Sequence, residues 1–144
     1  MRFPPGSETG NYMKQRIRKI DRILKVQERL KQEAELKVSL LEREAAELRT
    51  AQEAIIHSMN DHDTLHGLFV DVAAKRLQAL STQEGHVEKA KVAQKAVAFE
   101  KAMQAKRTEK MLTNMRDQNR RETEKKDLAS ILETLAKGGS ASFP

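Results

Sequence analysis

Apolar residues recur every three or four positions along the first third of the chain. Ile20, Ile23, Gln27, Leu30 and Ala34 step by 3, 4, 3 and 4, with Gln27 standing in an apolar place. Val38, Leu41, Ala45, Leu48, Gln52, Ile55 and Met59 keep the same alternation. The join from Ala34 to Val38 is an extra step of four. This is the heptad pattern of one helix packed on another, with one stutter that locally relaxes a left-handed supercoil. At ~1.5 Å per residue, Met13 to Met59 predicts a rod of roughly 70 Å.

The pattern stops at residues 60–67, Asn-Asp-His-Asp-Thr-Leu-His-Gly. Asn and Asp compete with the helix for nearby backbone groups, and glycine relaxes the chain. A reversal belongs there, with Asp63 or Thr64 as a cap for the next helix. A poorer stripe follows. Phe69, Ala73, Leu77, Leu80 and Val87 open it, and Ala90, Ala93, Ala96, Ala98, Ala102 and Ala105 continue it. Met111, Met115, Leu128, Leu132 and Leu135 close it. Gly85 lies inside and costs about 1 kcal/mol relative to Ala, which predicts a bend or a loose spot. Gly138 and Gly139 predict the helix stop.

Two amphipathic helices with a short connection fold back on each other. The expected fold is therefore all-α, an antiparallel two-helix coiled-coil hairpin with disordered termini. Helix 1 is expected over about 13–60, the turn over about 60–67 and helix 2 over about 68–137. Residues 1–12 hold two Pro and two Gly without any period and read as a disordered tail, and 138–144 as a flexible one. Met13, followed at once by helical sequence, is a candidate natural start beside Met1. Counting equally from residue 64 puts Met13 opposite roughly residue 115. About 20 residues of helix 2 then project beyond helix 1, carrying Leu128, Ile131, Leu132 and Leu135 without a partner in the chain.

Composition supports this picture. Of 144 residues 33% are charged and only 3% aromatic, and there is no Trp or Cys. A globular enzyme of this length needs large side chains inside, and only Phe69 and Phe99 lie away from the ends. Disorder is the competing reading. Against it, the signs are mixed, strong helix formers fill the chain, and no Pro lies between Pro5 and Pro144. The missing cysteines exclude a disulfide framework. No apolar run approaches the roughly 20 residues of a membrane span, and no signal peptide is visible, so a soluble cytoplasmic protein is expected. The net charge of +6 is unevenly placed: +5 over 14–37, −3 over 38–100 and +4 over 101–137. In a hairpin the two basic segments lie side by side, which predicts an acidic partner surface and salt-sensitive association.

Candidate chemistry is sparse. His57, Asp61, His62, Asp63 and His66 cluster at the turn, and His62 and His66 would share a helix face as zinc ligands often do. An exposed turn has little to form the outer shell that fixes such ligands, so no metal site is assigned. No phosphate-binding glycine loop or nucleophile elbow occurs, so no catalytic residue, cofactor or small-molecule substrate is expected. The carboxylates read as solvated faces paired with Lys or Arg at helical spacing, as Glu33 with Lys37. The basic segment is interrupted by acids and lacks aromatics for base stacking, so nucleic acid is not an expected partner.

Residues 16–48, RIRKIDRILKVQERLKQEAELKVSLLEREAAEL, resemble the opening helix of the FliJ family, coiled-coil components of the flagellar protein export apparatus. Residues 107–137, with Glu109-Lys110-Met111-Leu112 and Glu124-Lys125-Lys126-Asp127-Leu128-Ala129, resemble its closing segment. Two departures stand out: the aromatic before the closing run is at most Phe99, and the closing Asp-Glu-Leu/Ala is blurred to Asp127-Leu128-Ala129. The resemblance covers about 13–137. It implies a non-enzymatic stalk that enters a hexameric export ATPase by its paired ends, touches the export-gate membrane protein and holds export chaperones. It also implies type III protein export, flagellum biogenesis and motility, and a cytoplasmic location peripheral to the inner membrane at the flagellar base. The ring contact is then expected at Arg16, Arg18, Lys19, Ile20 and Ile23 with Leu128, Ile131, Leu132 and Leu135. The gate contact is expected near Glu42, Glu44, Phe69 and Leu80. The alternatives are a generic coiled-coil scaffold and a basic nucleic-acid-associated helix.

Overall fold

The computed structural model describes residues 7–61 and 66–141. Among these the chain is entirely helical. Helix α1 spans Ser7–Asp61 (55 residues) and α2 spans His66–Ala141 (76 residues). The two pack together as the expected antiparallel coiled-coil hairpin. Residues 1–6 of the tail expected over 1–12, residues 142–144 of the tail expected over 138–144, and residues 62–65 of the expected turn lie outside the described residues.

The helix ends differ from expectation. Helix α1 begins at Ser7 rather than Met13. Pro5 is the last residue barred from a helix interior, and nothing after it forbids the extra turn and a half. Helix α2 runs through Gly85, and through Gly138 and Gly139 to Ala141. The propensity cost of a glycine is about 1 kcal/mol, too little to break a helix this long. Gly138 does not take the left-handed conformation of a helix stop.

Burial corrects the seam. In α1 an unbroken run of covered positions passes through Met13, Ile17, Ile20, Leu24, Gln27, Lys31, Ala34, Val38, Leu41, Ala45, Leu48, Gln52, Ile55 and Met59, with Asp21, Ala51 and Ser58 half-buried beside it. The steps of 4 and 3 never break, so there is no stutter. Leu24 and Lys31 hold the places expected for Ile23 and Leu30, which are 51% and 41% exposed. A strict seven-residue repeat counted back from Val38 lands on Lys31 and Leu24. Lys31 can occupy a half-buried place because its methylene stem is apolar. The α2 seam is equally regular from Ala73 to Asn119 and passes through Glu84, Lys91, Gln94 and Lys101. Ala90, Ala93 and Ala96 are exposed, and Leu112, not Met111, is the buried residue.

The chain divides into two compact units, residues 1–27 with 104–144, and residues 28–103. In the first, Ile20, Leu24, Ala105, Leu112 and Met115 form a core, with Met13 and Ile17 packed against it. In the second, Ala45, Leu48, Leu80 and Val87 form the core, with Leu41, Ala51 and Ile55 against it.

Side chains crossing between the helices hold the register. In the second unit Arg49 reaches Glu84 at 3.0 Å and Glu88 at 3.1 Å, and Gln52 Nε2 donates to Glu84 Oε2 at 2.8 Å. Gln94 Nε2 donates to the Ala34 carbonyl at 3.3 Å, and Lys95 lies 3.6 Å from Glu42. In the first unit Arg116 lies 3.5 Å from Asp21. Equal counting from residue 64 would put residue 12 there, so the helices are staggered relative to expectation. As a result α1 covers more of α2. A Cβ at Gly10 would stand 4.0 Å from Lys126 Nζ, and about ten residues of α2, not 20, pass the start of α1.

Lys91 Nζ lies 2.9 Å from Glu88. The Glu88 carboxyl is held below its ordinary 4.5, first by this hydrogen bond; partial burial works against it, and the charges of Lys91 and Arg49 add to the lowering. A depressed acid contributes stability above its unfolded-state value and loses it as pH falls through the folded one. Acidification from about pH 6 to about pH 3 should therefore lower the melting temperature less in Glu88→Gln than in the parent protein. Equal drops in the two proteins would show that Glu88 contributes nothing.

Candidate functional site

The first unit carries the charge. Counted over its residues it holds sixteen Lys and Arg against eight Asp and Glu, net +8, while the second unit holds eleven against thirteen, net −2. Lys14, Arg16, Arg18, Lys19 and Arg22 of α1 have no ion-pair partner among the described residues. On α2 of the same unit Arg120 pairs with Asp117 and Glu124, Lys125 with Glu122 and Lys137 with Glu133. Residues 1–27 contribute net +5 and 104–144 net +3, and Lys106, Lys110 and Arg121 of α2 likewise have no ion-pair partner among the described residues, so both helices supply the positive field.

The residues expected to meet a partner there are not all on one surface. Ile20 is 9% exposed and belongs to the core. Its heptad place turns its side chain into the seam. At ~100° per residue, Arg16, Lys19 and Ile23 lie to one side of the α1 seam and Arg18 lies to the other. Tyr12 and Met111, 64% and 50% exposed, join the first side. Sequence reading missed both: Tyr12 stood in an expected tail, and Met111 was counted into the seam.

Leu128, Ile131, Leu132 and Leu135 are each more than half exposed. Their spacing of 3, 1 and 3 puts them on one face of α2. That face lies roughly 140–160° around the helix from Leu112 and Met115. The stripe is thus not a continuation of the seam, as expected from sequence, but looks away from α1. Direction, more than overhang, leaves it bare.

In the second unit Phe69 lines an open groove of about 320 Å3 with Ala54, Ile55, Ser58, Val72, Ala73 and Arg76. The groove is mostly apolar, with the Arg76 cation at its edge. Leu80 is 8% exposed and packs in the core with Ala45, Leu48 and Val87. Glu42 is engaged by Lys95 and Glu44 is exposed.

At the end of α1, His57 Nε2 lies 3.0 Å from Asp61, one turn on. His62 and Asp63 of the expected cluster lie outside the described residues. Among the described residues no helix is long and apolar enough to cross a membrane. Family models, curated proteins and solved structures all give no match to the chain. Three surfaces therefore carry the functional reading: the basic start of α1, the apolar stripe near the end of α2 and the Phe69 groove.

Proposed function

We propose that this chain is a coiled-coil stalk of the bacterial flagellar protein export apparatus, coupling a hexameric export ATPase to the export gate and holding export chaperones. The observation that carries the reading is the stripe Leu128, Ile131, Leu132 and Leu135, bare in the same unit as the net charge of +8. A paired helix end with an apolar stripe and a positive field suits insertion into a ring lined by apolar and acidic groups. The resemblance of 16–48 and 107–137 to the FliJ family supplies the identity of that ring. Such a stalk performs no reaction. It acts by contacting some subunit arrangements better than others, and a difference in affinity between states is what coupling requires. The Phe69 groove is the proposed gate contact. The protein then works in the cytoplasm, at the inner membrane beneath the flagellum.

The test is the hydrolysis rate of the purified export ATPase with and without this chain. Stimulation at low salt that fades as salt rises supports the reading, because exposed charges are screened. Removing residues 124–137 should abolish the stimulation and leave the core intact, because Leu112 and Met115 precede the cut. No stimulation at low salt overturns the proposal. So does full stimulation by the truncated chain, which would leave a general scaffold as the better description.

A further inference from the structure

An antiparallel helix pair has two grooves, one on each side of its seam. In the first unit the two grooves differ in chemistry. One is marked by Asp21 and Arg116, which are 3.5 Å apart, and Asp21 also holds Lys25 at 3.2 Å. Its flanking positions on both helices are polar, and of its cations Lys25 and Arg116 meet Asp21 while Lys14 and Arg18 have no ion-pair partner among the described residues.

The other groove is built differently. On α1, Ile23 lies ~90° from the centre of the seam, with Arg16 and Tyr12 within roughly 20° of it. On α2, Met111 and Gln118 lie at ~85–105° on the matching side. The match of sides follows from the Asp21–Arg116 pair, since the helices run antiparallel and a shared side for those two fixes the other. Ile23 is 51%, Met111 50% and Tyr12 64% exposed. Arg16 and Lys19 beside them have no ion-pair partner among the described residues. This side is thus apolar along its middle, cationic at its rim and unneutralised.

We infer that this groove receives a third amphipathic helix, from a partner protein, with an apolar stripe flanked by Asp and Glu. The apolar side chains of such a helix would stand between Ile23 and Met111, and its carboxylates would meet Arg16 and Lys19. Packing a ridge of side chains into the groove of a helix pair is ordinary helix geometry. Charge chooses the partner: basic flanks would face two uncompensated cations, acidic flanks would neutralise them. The inference rests on the functional reading only in placing the partner contact at this end of the chain.

The probe is a pair of labelled synthetic helices with identical leucine stripes, one flanked by Glu and one by Lys, titrated against the full chain by fluorescence anisotropy. The Glu-flanked peptide should bind at least tenfold more tightly at low salt. Arg16→Glu with Lys19→Glu should invert that preference. Ile23→Ser with Met111→Ser should weaken binding at least tenfold, with Ile23→Ala alone as the milder control and circular dichroism verifying the fold. Lys14→Glu with Arg18→Glu, away from the apolar groove, should change affinity less than about threefold. Equal binding of both peptides, or no binding, overturns the inference. Greater sensitivity to Lys14 and Arg18 than to Ile23 and Met111 does the same. Binding of anionic vesicles or of duplex DNA through Ile23 and Met111 in place of the peptide would also overturn it. Loss of ATPase stimulation with peptide binding intact would remove the functional reading and leave this one standing; the reverse result would remove this one alone.

Discussion

Leu112→Asp should unfold the end of the helix pair, and Met111→Asp next to it should do little. Leu112 is 2% exposed and packs among Ile20, Leu24, Ala105 and Met115. Truncating such a residue to alanine costs about 2–5 kcal/mol, from lost apolar burial and the cavity left behind. Aspartate adds a carboxylate that finds no cation inside that core, so its cost is larger. Met111 is half exposed, and an aspartate there meets water. Its cost should stay under about 1 kcal/mol, mostly helix propensity. Urea unfolding followed by circular dichroism compares the two. The same contrast should hold between Leu24→Asp and Ile23→Asp. If Met111→Asp proved as damaging as Leu112→Asp, the seam drawn here would be rotated by one position.

The second large effect is expected from enlarging a residue. Ala45 is completely covered, and its core partners are Leu48, Leu80 and Val87. Close approach of the two helices at this level depends on a small side chain. Ala45→Leu inserts three carbons into filled space, and overpacking of this kind costs about 1–3 kcal/mol. It should also loosen the neighbouring Arg49–Glu84 contact, since the helices must separate. Ala93→Leu makes the same change at an exposed position of α2 and should stay within about 0.5 kcal/mol of the parent. Melting temperatures of the two variants provide the measurement. A neutral Ala45→Leu would mean that the pair has room to spare at its tightest point.

Much of the fold was legible in the sequence because heptad spacing is a local signal. Each residue reports its own place, and a long run of helix formers without proline reinforces it. What could not be read was the phase where apolar residues sat side by side. Ile23 and Leu24 are equally apolar, as are Met111 and Leu112, and only the facing helix decides which turns inward. The phase error also produced a stutter the chain does not have. Polar seam residues hid the regularity further: Lys31, Glu84 and Lys91 occupy places where an apolar search finds nothing. The stagger between helices was equally hidden, because it is set by long-range pairs such as Asp21 with Arg116.

For the candidate site, the apolar stripe near the end of α2 and the basic start of α1 were both visible as composition. Which way they look was not. That Ile20 and Leu80 lie in the core was not legible, because hydrophobicity alone does not separate a residue that binds outward from one that packs inward. Phe69 was expected near the gate contact from the family resemblance alone, and it lines an open groove together with Arg76.

The seam runs without interruption in steps of 4 and 3 along both helices. Two turns are therefore the smallest increment by which the molecule can grow or shrink. One residue added near Ala34 would swing everything beyond it through ~100° and turn the seam toward water. Seven added to α1 would keep the faces aligned but shift every cross-helix partner, unless seven more entered α2 at the matching level. Viable length variants should differ in paired blocks of seven.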